Sequence, residues 1–361
     1  MVTPVSIAGR LIGPGQPCWI IAEAGVNHNG DPALAAALVD AAAKAGADAV
    51  KFQTFQAATL ATPTAAKAAY QSANLADDSL SQQAMLKALE LSRDAHRPLQ
   101  TRAAAQGIPF LSTPFAPDDA AFLVGLGVPA LKVSSGDLTN LPFLAQLARY
   151  GLPLLLSTGM ADLAEVAAAV ATVRANGNPS LILLHCVSTY PADAADCNLR
   201  AMRTLQDTFH VPVGWSDHTI GWDVAVAAVA LGACVVEKHL TLDRTMPGPD
   251  HAASLEPAEL AALVLALRRT EAALGHGEKR PTPSEAAVAA VARKSLHWDQ
   301  DLAAGASVSQ GAVTILRPEA GLAPKWYDRL HGLRLARPVL AGSPVLPADF
   351  DPAGLPPELI Q

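Results

Sequence analysis

Charge is scarce in this 361-residue chain: only 16% of its residues are Asp, Glu, Lys or Arg, and the formal net charge is -7. Without an excess of cations the surface has no general attraction for nucleic acid or anionic lipid, so an anionic ligand has to be met by a local cluster. No run of about 18 apolar residues occurs, and the N-terminal stretch MVTPVSIAGRLIGPGQPCW has neither a charged n-region nor an apolar h-region. Neither secretion nor a membrane span is expected. The four cysteines (Cys18, Cys186, Cys197 and Cys234) form no CxxC pair, and each lies in or beside an apolar segment. That pattern argues against a disulfide framework and a thiolate zinc site, and for reduced core thiols in a cytoplasmic protein.

What the chain has in quantity is apolar residues, 50% of the total, enough to fill a large core and to exclude a disordered chain. They come in short runs, CWIIAEA, ADAVKF, IPFLST, ALKVSS, PLLLST, LILLHC, VPVGW and ACVVEK, separated by Ala- and Leu-rich segments of helical period. The first helix is the best punctuated: Asp31 can cap it, Pro32 suits its first turn, and Gly46 can take the left-handed conformation that ends it. Near-continuous apolar strands alternating with helices mean a parallel sheet covered on both faces, and eight such units fit a closed (β/α)8 TIM barrel better than a doubly wound open sheet. The barrel is expected over residues 1–280. After Gly277 the polar, proline-bearing GEKRPTPSE opens a linker over 281–292 that leads into a short Ala-rich helix. Residues 293–361, with short β-like pieces (KSLHW, VTILR, LRLARPV) between turn-rich segments, read as a small β-rich second domain.

In a barrel of this class chemistry sits at the C-terminal ends of the strands. Here those ends carry Glu23, then Asn27 and His28; Lys51 and Gln53; Ser112 and Thr113; Lys132, Ser134, Ser135 and Asp137; Ser157 and Thr158; His185, Ser188 and Tyr190; Ser216, Asp217 and His218; and Glu237 with His239. One Ser or Thr in such a place is usually a turn or cap residue. Eight strands in succession ending this way are harder to explain as turns. Lys51 and Lys132, with Ser112, Thr113, Ser134, Ser135, Ser157 and Ser216, form a set of cations, hydroxyls and loop amides suited to a phosphate and a carboxylate.

The last strand ends in EKHLTLDRTMPGPDH. Alternation puts Glu237 and His239 on one face and Lys238 on the other, where it reads as structural. His218 and His239, with Glu23, Glu237, Asp217 and Asp250, make a second set able to hold a divalent ion and to move protons. Two imidazoles without thiolates suit Mn²⁺, Co²⁺, Fe²⁺ or Zn²⁺, and an ion with open positions could polarise a carbonyl. Metal plus anion cluster suggests condensation of a phosphorylated, carboxylated donor with an aldehyde. A metal-free Schiff base on Lys51 or Lys132 is the catalytic alternative, and a non-catalytic carbohydrate-binding protein on a retired barrel is the alternative from another class.

The stretches IAEAGVNHNGD, DAVKFQTF, PFLSTPF, LKVSSGDLTNLPFL, LSTGMA, LLHCVSTYPA, VGWSDHTIG and VVEKHLTLDRTMPGPDHAASLEP together resemble the sialic acid synthase family, and the tail resembles its antifreeze-like SAF domain, a β-clip. The resemblance implies condensation of phosphoenolpyruvate with open-chain N-acetylmannosamine or a close 2-acetamido sugar, giving a nonulosonic acid and phosphate. The alternative acceptor is 2,4-diacetamido-2,4,6-trideoxymannose, the substrate of an N,N'-diacetyllegionaminate synthase. It further implies Mn²⁺, with Mg²⁺ or Co²⁺ as alternatives, on His218 and His239, and phosphoenolpyruvate on Lys51, Thr113, Lys132, Ser135, Ser157 and Ser216. Glu23, Gln53, Tyr190, Glu237 and Asp250 match residues that position the sugar or a water. Asp137 and Ser188 stand where some members have Glu and Asn. Arg317 matches an arginine that, in a domain-swapped homodimer, reaches the acetamido group in the other protomer's barrel.

Overall fold

The structure is a computed structural model that describes residues 2–75, 81–356 and 358. Its residues gather into two compact units, Met1–Gly275 and His276–Gln361. The first begins with a hairpin not anticipated from the sequence, β1 (Val5–Ile7) and β2 (Arg10–Ile12), paired antiparallel with Val5 opposite Ile12. Ala8 and Gly9 turn it, both at positive φ, 50° and 79°.

Eight parallel strands follow: β3 (Trp19–Gly25), β4 (Ala49–Thr54), β5 (Phe110–Pro114), β6 (Leu131–Val133), β7 (Leu154–Ser157), β8 (Leu181–Cys186), β9 (Val213–Asp217) and β10 (Val235–His239). Their ladder runs β5-β4-β3-β10-β9-β8-β7-β6, so the first barrel strand pairs with the last, Val235 opposite Trp19 and His239 opposite Glu23. β5 and β6 lie side by side and complete the ring without a ladder among the described residues. The expected (β/α)8 barrel is therefore present, nearly closed, and the open doubly wound sheet is excluded.

Local chemistry explains the elements. Val, Ile, Leu and Ala fill the strands and are buried on both faces, as parallel strands between a barrel interior and a helical layer require. Helix Pro32–Lys44 starts where expected: the Asp31 side chain accepts from the Ala33 amide, and Gly46 follows the helix at φ 84°. Outward strand residues such as Ile20, Val50 and Leu183 pack with Leu38, Leu123, Leu147 and Leu263 of the helices. Inward residues Ile21, Ala49, Leu111, Leu155, Ile182 and Val235 form a second core, and Val5, Ile7 and Ile12 of the hairpin join it. These lie toward the strands' N-terminal ends, so one mouth of the barrel is filled with apolar side chains and the polar C-terminal mouth is left for ligands.

The connection from β4 to β5 is much longer than the others and carries helices Ala57–Leu60, Ala69–Leu75 and Gln82–Ala88 before helix Arg93–Ala105. In the second unit residues Pro283–Ala292, within the expected linker, form a helix with a Thr282–Glu285 capping box. There β11 (Ser295–Trp298) pairs antiparallel with β12 (Val313–Leu316), and Leu296, Trp298, Val313, Leu330, Val345 and Phe350 make its core. Trp298 donates its indole N–H to Asp349, which Arg337 clamps at 2.6 Å. Among the described residues no helix is long and apolar enough to cross a membrane.

Candidate active site

A cavity of about 430 Å³ opens at the C-terminal ends of the barrel strands. Its floor is charged and almost fully buried. From β4, Lys51 Nζ pairs with Glu23 Oε2 of β3 at 2.8 Å and lies 3.6 Å from Glu237 Oε2 of β10. It also donates to Thr113 Oγ1 of β5 at 3.1 Å. From β6, Lys132 donates to Ser157 Oγ of β7 at 2.6 Å and stands 3.8 Å from Glu237 Oε1, which accepts from Ser216 Oγ of β9 at 2.9 Å. All seven of these strands deliver a polar group to the floor, and none of Glu23, Lys51, Thr113, Lys132, Ser157, Ser216 or Glu237 is more than 4% exposed.

Two cations and two carboxylates in such a place cannot all keep their ordinary pKa values. Burial pushes Glu23 up to about 7, with Lys51 opposing and Glu237 adding to the rise. Burial also raises Glu237, yet Lys132 and Lys51 outweigh it and bring that carboxyl down to about 2. Lys51 is raised because Glu23 and Glu237 overcome its burial, whereas burial wins at Lys132 and lowers it. Near neutrality the floor thus holds a firm Glu237 carboxylate, a charged Lys51, and a Glu23 proton that can leave or arrive.

Above the floor three rings converge. His218 and His239 have ring centroids 5.5 Å apart, and the Tyr190 ring lies 4.1 Å from His218 and 5.4 Å from His239. His218 Nδ1 is 2.6 Å from the Val187 carbonyl, which leaves Nε2 for another partner. His239 Nδ1 is buried with no hydrogen bond, and the nearest carboxylate oxygen, Asp250 Oδ2, is 3.8 Å away. Burial brings His218 down to about 4, and burial together with His218 and Lys51 holds His239 well below its usual value, so both rings are neutral with lone pairs available. Burial raises Asp250 to about 6. No group of three or more His, Cys, Asp or Glu side chains converges as a metal site among the described residues. The donor set fits an ion bound by two imidazoles with its remaining positions open, because His239 Nδ1 is otherwise a buried nitrogen without a partner.

Of the residues singled out in the sequence, Glu23, Lys51, Gln53, Thr113, Lys132, Ser135, Ser157, Ser188, Tyr190, Ser216, His218, Glu237, His239 and Asp250 all line this cavity. Others from the strand ends do not. Asp217 turns outward: Lys238 donates to its Oδ2 and Thr219 to its Oδ1, because alternation along β9 sends it to the face opposite Ser216. Ser112 bonds Thr54, His185 bonds the Cys197 carbonyl, and His28 Nδ1 accepts from the Gly30 amide. Thr158 bonds the Leu184 carbonyl and Asn27 the Leu240 carbonyl. Asp137 is half-buried just beyond the cavity and accepts from Asn140. Arg317 is exposed at the end of β12 in the other unit.

Sequence reasoning missed an apolar wall. Val26, Leu60, Met85, Leu86, Leu89 and Phe115 also line the cavity and belong to one cluster, most of it from the long β4–β5 connection, which adds Gln71 and Gln82 to the lining as well. Its signal was available: a long insertion after a barrel strand emerges on the face that carries the site. Gly159 was missed as well. Its amide donates to Ser135 Oγ at 3.0 Å, and a Cβ there would come within 2.2 Å of Ser188 Oγ and 2.9 Å of Cys186 Sγ and Ser135 Oγ.

A parallel barrel whose C-terminal mouth concentrates buried lysines, carboxylates and imidazoles defines a barrel enzyme. The chain belongs to the NeuB family, whose model matches residues 38–279, and the SAF domain model matches residues 293–351. It is 49% identical to an N,N'-diacetyllegionaminic acid synthase of Legionella pneumophila over 338 residues, covering 92% of this chain and 95% of the relative. It is 45% identical to the synthase of the same name from Campylobacter jejuni, covering 87% and 94%. A crystal structure of N-acetylneuraminic acid synthetase from Leptospira borgpetersenii in complex with citrate superposes with a TM-score of 0.69 at 37% identity, covering 79% of this chain and 94% of that one. The relatives are synthases of nonulosonic acids, and this chain is an enzyme of that type.

Proposed function

We propose that this enzyme condenses phosphoenolpyruvate with 2,4-diacetamido-2,4,6-trideoxymannose to give N,N'-diacetyllegionaminate and phosphate. This revises the order of preference from the sequence, which put N-acetylmannosamine first. Two relatives at 49% and 45% identity carry the legionaminic acid name. The observation that carries the reading is the division of the cavity into a cationic floor and an apolar wall. The floor suits the phosphate and carboxylate of the donor. The wall of Leu60, Met85, Leu86 and Phe115 suits the methyl end of a 6-deoxy sugar. Lys51 and Lys132 are the cations among the described lining residues, both at the floor, so a 6-phosphate on the acceptor has no partner there.

In the proposed reaction Lys51 and Lys132 neutralise the donor's anionic groups, and Thr113, Ser135, Ser157 and Ser216 supply hydroxyls to them. C3 of phosphoenolpyruvate attacks C1 of the open-chain acceptor, whose aldehyde oxygen takes a proton and becomes a hydroxyl. Water adds at C2 and gives up one proton; the C2–O bond to phosphate then breaks, its electrons leaving with the phosphate, while the C2 hydroxyl loses the second proton to the phosphate and becomes the ketone. His218 and His239 would hold Mn²⁺, which when bound supplies Lewis-acid polarisation of a carbonyl oxygen. Glu23, titrating about neutrality beside Lys51, is suited to hold and return a proton on its carboxyl, and Asp250 is suited to orient water near His239. Arg317 would complete the acetamido side of the site from a second protomer in a domain-swapped homodimer.

Phosphate release with phosphoenolpyruvate and a panel of acceptors tests this, with and without Mn²⁺. The trideoxy sugar should give the highest kcat/KM, ahead of N-acetylmannosamine and its 6-phosphate. Preference for N-acetylmannosamine would overturn the substrate assignment. Borohydride trapping of substrate on Lys51 or Lys132 would restore the Schiff-base mechanism.

A further inference from the structure

Lys238 shares no face with the cavity, yet it is 0% exposed, the most deeply buried charged side chain next to the site. Its ammonium crosses from β10 to β9. It donates to Asp217 Oδ2 at 2.9 Å and to the Thr219 carbonyl at 2.5 Å. Asp217 Oδ1 in turn accepts from the Thr219 amide at 3.0 Å and from its hydroxyl at 2.8 Å. The residue enclosed by this clamp is His218. Its carbonyl accepts from the Ala192 amide at 2.9 Å, and its Nδ1 meets the Val187 carbonyl. Lys238 itself sits between Glu237 and His239, so one side chain ties the end of β10, which carries His239, to the turn after β9 that presents His218.

Stability does not account for a lysine here. Its neighbour on the same outer face, Val236, packs in the apolar layer between barrel and helices. Replacing a buried ion pair by apolar groups is often neutral or stabilising. What a charged, doubly bonded side chain supplies and a methylene chain does not is direction. We infer that Lys238 is a positioning residue for the reaction: through Asp217 and Thr219 it fixes His218 against His239. The inference rests on reading those two imidazoles as ligands of an ion.

The test compares wild type with Lys238→Met and with the double variant Lys238→Met/Asp217→Asn. The single variant leaves Asp217 buried without its cation and can fail to fold; the double variant removes both charges and keeps an acceptor for Thr219. In the folded variant the affinity for Mn²⁺, measured by titration calorimetry on ion-free protein, should fall about 10- to 100-fold, the scale for outer partners of metal ligands, with kcat falling in step. KM for phosphoenolpyruvate should stay within about threefold, since Lys51 and Lys132 are untouched. Without any ion, the His218 ring-nitrogen NMR signals, assigned by their loss in His218→Gln, should shift or broaden. A folded variant with wild-type Mn²⁺ affinity and unmoved His218 signals overturns the inference and leaves Lys238 as packing. Wild-type protein that takes up no Mn²⁺ sinks the ion reading instead, and the His218 signals, which need no ion, then decide whether Lys238 holds the ring.

Discussion

Glu237→Gln should make the ligand-free enzyme less stable and its hold on phosphoenolpyruvate tighter. The carboxylate stands 3.6 Å from the Lys51 ammonium and 3.8 Å from that of Lys132, and all three side chains are at most 5% exposed. At an effective dielectric of about 20, each contact is worth about 4 kcal/mol, and removing one partner from a buried charge network typically costs about 3–5 kcal/mol. Glutamine keeps an oxygen for the Ser216 hydroxyl but leaves the lysines short of an anion. Glu23 limits the damage. Glu237 is one cause of its raised pKa, so without that repulsion Glu23 ionises more readily and replaces part of the lost charge. The net cost should fall near the lower bound, about 3 kcal/mol, or a Tm lower by about 6–12 °C for a domain of this size. An incoming phosphate and carboxylate would relieve the same deficit. Phosphoenolpyruvate should therefore bind about tenfold tighter than to wild type, which recovers about 1.4 kcal/mol of the loss. Thermal melts with and without the donor, and calorimetric Kd values, measure both effects. A Tm within about 2 °C of wild type, with unchanged donor affinity, would refute the picture of two ammoniums held by one shared carboxylate.

His239→Ala should lower kcat at least about 10²-fold, the scale of losing one stabilising group, while Tm moves little because the Nδ1 has no hydrogen bond to lose; near-normal turnover at saturating Mn²⁺ would count against the role given to it. For Glu23 the folded pKa of about 7 lies above the ordinary 4.5, so between those values the folded state holds a proton that the unfolded state has released, and stability falls as pH rises through that window. Wild type should lose up to about 3 kcal/mol more across it than Glu23→Gln in urea titrations, and equal slopes would sink the assignment. Gly159→Ala should displace Ser135, Ser188 and Cys186 side chains, which can rotate away, so its expected effect is a raised KM with little change in Tm; an unaltered KM would show that this wall of the cavity is not used.

The barrel was legible because parallel strands buried on both faces leave long apolar runs, and each run ended in polar residues that nothing in the fold requires. Period-two alternation then sorted Glu237 and His239 from Lys238 correctly. The same rule, applied to β9, would have sent Asp217 away from the cavity with Ser216 inside it; grouping Asp217 with the carboxylates of the site overlooked that. The hairpin Val5–Ile12 was illegible because three-residue strands are too short to show a period, and only the Ala8–Gly9 turn hinted at it. The apolar wall was hidden for another reason. Met85 lies in an ordinary helix and Leu89 at its C-terminal cap, and their place in the cavity that the lysines line comes from the path of the chain after Thr54, which no local pattern encodes.

That wall has an evolutionary side. The floor is assembled from side chains on several barrel strands, so altering it disturbs the donor site and the frame of the barrel at once. Most of the wall comes from a single stretch of chain between two strands, with both ends anchored in the rigid sheet. On the proposed reading of the wall as the acceptor's side of the site, replacing residues 56–90 as a block should change acceptor preference while the floor stays as it is. On that reading the barrel is a chassis, and one exchangeable stretch of chain chooses the sugar.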